Sequence, residues 1–73
     1  MTWEAVDTIL DKAWETCSQA SIYLENTGTF FLIDSKNHEW KVYGTLNILC
    51  IHVIGQKTEY YIDINKITHI CVT

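Results

Sequence analysis

Cys50-Ile51-His52 and His69-Ile70-Cys71 have the greatest chemical reach in this sequence, because each triplet sets a thiol and an imidazole two positions apart. On a β-strand, side chains two apart share a face, so each triplet presents both groups side by side. Were the two strands antiparallel neighbours with Cys50 opposite Cys71, His52 would fall opposite His69. Four soft or borderline ligands would then converge, which is the ligand set of a tetrahedral structural zinc site. The spacing is not the C-x2-C of zinc-binding modules, and free cysteine is commonly buried as a small apolar group. Ordinary burial accounts for Cys50 and Cys71, so the expectation is a fold that requires no metal and no cofactor.

The same residues offer a second chemistry. Covalent catalysis needs a thiolate, a base and a group that orients the base. Cys50 with His69, or Cys71 with His52, would supply the first two. Nothing in the sequence supplies an oxyanion hole: there is no glycine-rich nucleophile turn and no second helix whose N-terminus lowers a thiol pKa. Asp34, Glu59 and Asp63 fall near strand ends or between solvent-facing positions, without the pairing that general acid–base work requires. The expected class is therefore not an enzyme.

Composition narrows the partners. Nine acidic against five basic side chains leave a formal charge of -4 over 73 residues, and no lysine cluster overrules the average field that repels phosphate. Three cysteines at irregular spacing read as reduced thiols rather than a disulfide framework. Met1-Thr2-Trp3-Glu4 has no basic leader and no long apolar run follows, so neither a secretory signal nor a membrane anchor is expected and the chain reads as cytoplasmic.

The elements that must position these groups are a helix and then strands, in a single domain over 1–73. Trp3, Val6, Leu10, Trp14, Cys17 and Ala20 recur every three or four residues, which predicts an amphipathic helix over 2–19 with Thr2 as N-cap and Glu4 in its first turn. From Ser21 the pattern turns β-branched and aromatic, and strands are expected over 21–26, 29–34, 39–47, 48–54, 58–64 and 67–72. Asn26-Thr27-Gly28 closes the first hairpin, Ser35 to His38 the next turn, and Asn65-Lys66 the last. The run 39–54 is too long for one strand, so it must bend at Gly44 or break at Leu46-Asn47-Ile48. Ile22, Leu24, Trp40, Val42 and Leu46 are assigned to the core and Tyr23, Lys41, Tyr43 and Thr45 to solvent. The class is α+β: one helix followed by a bent antiparallel sheet or small open barrel of five to six strands.

That order, closing on Tyr60-Tyr61-Ile62-Asp63-Ile64-Asn65-Lys66-Ile67-Thr68-His69-Ile70, resembles the Sm-like family of SH3-like small barrels, whose last two strands are joined by a short turn in a similar phrase. The resemblance implies that fold. The stretch Asp63 to Lys66 lacks the arginine-glycine or lysine-histidine signature with which Sm-like proteins grip RNA, and only Asn65 and Lys66 are carried over as ligand candidates.

Two surfaces remain. Glu4, Asp7, Asp11 and Glu15 fall along one helix face, either a solvated surface or an acidic ridge that docks on a basic partner. Tyr43 and Tyr61 face outward on strands, where tyrosines serve as interface anchors or as a stacking platform. Phe30-Phe31-Leu32-Ile33 is apolar on both faces, which predicts a covering helix or another chain. The expected function is a non-enzymatic inhibitor, sequestering protein or adaptor that forms a homo-oligomer and binds a protein partner, similar in character to the small acidic inhibitors of phages and other mobile elements. The alternative is an Sm-like oligomer with a nucleotide or RNA ligand at Tyr43, Tyr61, Asn65 and Lys66.

Overall fold

The computed structural model describes every residue except Thr27 and Thr29, so the expected strand start at Thr29 and the middle of the loop Asn26-Thr27-Gly28 lie outside the described residues. The chain opens with α1 (Trp3–Glu15). Thr2 caps it, accepting the Ala5 N–H at 3.2 Å, and Val6, Leu10 and Ala13 form its buried stripe. The helix ends four residues before the expected Gln19. Cys17 enters the left-handed region at φ 55, and the N–H groups of Cys17 and Ser18 close back on the carbonyls of Trp14 and Ala13. This double closure satisfies the last carbonyls and turns the chain. Cys17 is therefore exposed, and Ala20 is the first buried residue of a strand.

Six strands follow: β1 (Gln19–Leu24), β2 (Phe30–Asp34), β3 (His38–Tyr43), β4 (Ile48–Val53), β5 (Glu59–Asp63) and β6 (Ile67–Val72). They make two three-stranded antiparallel sheets, β2-β1-β6 and β3-β4-β5, which do not close into a barrel. The α+β class of one helix and six strands holds. The run 39–54 breaks rather than bends: the N–H groups of Leu46 and Asn47 bond the carbonyls of Tyr43 and Gly44, and Asn47 takes φ 55. Gly44 lies close under Trp3: a Cβ there would stand 3.0 Å from Trp3 Cε2, so the ring would have to shift. Leu46, assigned to the core by alternation, sits instead in this turn at 67% exposure. Between β5 and β6 a single 3-10 turn, Ile64–Lys66, is capped by the Asp63 carboxylate accepting the Asn65 N–H at 2.9 Å.

The core lies between the inner faces of the two sheets, with α1 packed against β1, β3 and β6. Ile22 and Ile33 enter from one sheet, Leu49, Ile51 and Ile62 from the other, and Val6 and Leu10 from the helix. Among the described residues no polar or charged side chain is buried. Among the same residues no helix is long and apolar enough to cross a membrane.

Candidate functional site

Period-two alternation turns the residues between these core positions outward, so each sheet has one outer face. On β2-β1-β6, Tyr23 pairs with Phe30 on one side and His69 on the other. The three rings stack across the strands, Tyr23 on Phe30 at 5.0 Å between centroids and 28°, and Tyr23 on His69 at 4.3 Å and 13°. The next row is Leu32, Ser21 and Cys71. Phe30 and Leu32 are each 51% exposed. Asp34 is the one carboxylate among the described outward positions of these strands, and it stands at the end of β2. It is already engaged, accepting the N–H groups of Lys36 and Asn37 at 2.9 Å and the Asn37 amide at 3.0 Å. These bonds, the Asn37 side chain first, hold its pKa below the ordinary carboxylate value.

The outer face of β3-β4-β5 is chemically unlike it. Register aligns Glu39, His52 and Glu59 in one row and Lys41, Cys50 and Tyr61 in the next. The Tyr61 hydroxyl donates to Glu59 Oε1 at 2.9 Å, and the bond together with the carboxylate's charge pushes the phenol pKa up to about 12. The other carboxylate oxygen lies 3.7 Å from His52 Nδ1, too long for a hydrogen bond, and that buried nitrogen has no hydrogen-bond partner among the described residues. Lys41 Nζ stands 5.1 Å from the centroid of the Tyr43 ring. Glu39, Lys41, Tyr43, Cys50, His52 and Glu59, with Trp40, line a shallow depression of about 360 Å³.

The structure therefore regroups the expected residues. β4 and β6 belong to different sheets, so Cys50 does not face Cys71, and the tetrad Cys50, His52, His69 and Cys71 does not assemble. Among the described residues no three His, Cys, Asp or Glu side chains are placed to hold a metal ion. The pairings Cys50 with His69 and Cys71 with His52 are separated for the same reason. What assembles instead is Cys50, His52 and Glu59 on one face, because the hairpin loop around Gly55 sets Glu59 opposite His52. That loop was the available signal. Cys50 is only 6% exposed between Lys41 and Tyr61, which gives an attacking thiol little room.

Tyr43 and Tyr61 do share the outer face of β3-β4-β5. Asn65 joins Tyr61 in a second depression, with Leu46 and Ile48, whereas Lys66 pairs with Glu25 at 3.3 Å beside a separate one. The four do not form one patch. Glu4, Asp7, Asp11 and Glu15 are all exposed, and among the described residues none of them makes an ion pair. No protein-family model matches this chain, and no curated protein or solved structure matches it either.

Proposed function

We propose that this chain is a small non-catalytic binding protein that works by contact, as an inhibitor, sequestering protein or adaptor, and that it makes the contact with the outer face of β2-β1-β6. One observation carries the reading: Phe30 and Leu32 are half-exposed on a sheet face whose one carboxylate among the described residues is committed to a turn, in a chain of net charge -4. Contiguous exposed apolar surface of this kind is the signature of an interaction site. The Tyr23 ring lies against Phe30 and His69, so it offers solvent an edge rather than a face. A base cannot lie flat on it, which favours a protein partner over a nucleotide or RNA. Lys66 stands beside the Glu25 carboxylate, which offsets its pull on a phosphate.

The Sm-like reading of the fold is part of the proposal. It is supported by the order of one helix and then an antiparallel meander, and by the short turn Ile64–Lys66 before the last strand. The exposed acidic stripe of α1 supports a partner with a basic surface, whose approach the stripe would speed more than it would tighten the complex. The test is co-purification of the tagged chain from its source cells, alongside a Leu32→Asp variant. Loss of the co-purifying partner in a folded variant supports the reading, and an unchanged partner set overturns it.

A further inference from the structure

We infer that the unpaired edge of β2 is a self-association site whose occupant is β2 of a second copy of this chain, antiparallel about a two-fold axis near Leu32. The inference rests on the contact reading above and adds a second copy of the chain on the same sheet beside that partner. β2 is paired with a strand on one side only, β1, while on its other side the Asp34 N–H at its end donates to His38 Nδ1 at 3.2 Å; an edge strand left open is a template for another strand unless it is blunted by charge, proline or a bulge.

The four edge strands differ in this respect. β3 carries Glu39 and Lys41, and β5 carries Glu59 and Asp63. β6 departs from regular register with β1 at Tyr23/Leu24. β2 carries a single charge, Asp34, at its last position, where the following turn holds it; Phe30, Phe31, Leu32 and Ile33 are all apolar, and its register with β1 is unbroken from Tyr23↔Phe30 to Gln19↔Asp34.

Charge permits a second copy at this edge and disfavours one elsewhere on the surface. Two copies, each of net charge -4, repel least where their surfaces carry least charge. Four carboxylates line the helix and three more stand on the outer face of β3-β4-β5, against one, already engaged, on the outer face of β2-β1-β6. Leu32 is the middle residue of the five in β2, so a two-fold axis there is self-complementary. It sets Leu32 opposite the partner's Leu32 and Phe31 opposite the partner's Ile33. Phe30 then falls opposite the partner's Asp34, so the paired Leu32 side chains and the two Phe30 rings meet on the outer face of a six-stranded sheet between two carboxylates already engaged in their own turns.

Sedimentation velocity across a wide concentration range tests this on the full chain, beside Leu32→Lys, a change at an exposed position that circular dichroism can certify as folded. The expected result is a wild-type mass that rises from one chain to two, with association weakened about tenfold or more in the variant. A second measurement fixes the register. With Cys17 and Cys71 replaced by Ser, Leu32→Cys should form an interchain disulfide on mild oxidation, because directly opposed residues stand about 4.5–5.5 Å apart at Cα, within disulfide range. Thr45→Cys, in the β3–β4 turn, should not. A wild type that stays a single chain at every concentration overturns the inference, and so does a dimer indifferent to Leu32→Lys. The contact reading fails separately, if Leu32→Asp keeps the co-purifying partner.

Discussion

The outer faces of the two sheets are built by the same alternation and packed over the same core, yet they carry opposite chemistries. On β2-β1-β6 the rows are Phe30, Tyr23, His69 and Leu32, Ser21, Cys71, while on β3-β4-β5 they are Glu39, His52, Glu59 and Lys41, Cys50, Tyr61. A core needs only one face of each sheet, so the other is free to specialise. The difference teaches where contact is cheapest in desolvation. Covering the second face would strip water from Glu39, Lys41 and Glu59, whereas covering the first removes water mainly from rings and a leucine.

The comparison implies that the inner faces are equivalent. Ile22 in β1 and Ile51 in β4 are both essentially inaccessible to solvent. Each change to Ala should cost about 2–5 kcal/mol in denaturant unfolding. A large cost on one side alone would mean that the two sheets do not share one core. Next in size is the ring row. Tyr23→Ala removes both stacked contacts and should cost roughly 1–3 kcal/mol, with Tyr23 and Phe30 coupled in a double-mutant cycle. Additive losses would reduce the row to three independent exposed rings.

The polar face predicts a pH response on the alkaline side. The Tyr61 phenol donates to Glu59 only while protonated, so its contribution to stability is fully present below the ordinary tyrosine pKa near 10.0 and is lost as pH rises through about 12. Phenolate absorbance should show Tyr61 titrating late, and Glu59→Gln should return it toward the ordinary value. The smallest effect belongs to the helix. Replacing Glu4, Asp7, Asp11 and Glu15 by amides relieves like-charge spacing and should raise stability by a few tenths of a kcal/mol per pair, read in thermal melts. If the variant also keeps full partner association, the stripe is a solvated surface and the apolar sheet face acts alone.

Much of this was legible from local pattern. The 3.6-residue period located α1, and two-residue alternation sent Tyr23, Lys41 and Tyr43 outward, as the strands place them. Local pattern failed where backbone geometry overrode it. Cys17 continues the apolar period of the helix but takes φ 55, and Leu46 continues the strand alternation but sits in a turn. In both cases hydrogen bonds closing the turn outweighed one apolar side chain. The grouping of His52 with Glu59 lay within reach, because a short hairpin loop sets register. The separation of Cys50 from Cys71 did not.

The sequence by itself determined the elements, their approximate bounds and which side chains alternate to which face, because these follow from contacts a few residues apart. Only the tertiary structure decided that β6 returns to pair with β1 while β4 lies between β3 and β5. That choice separates two Cys–His pairs that look complementary on paper, and it leaves β2 with an open apolar edge. Pairing between strands some fifty residues apart depends on how the whole chain can bury its inner faces together, and no local period carries that information.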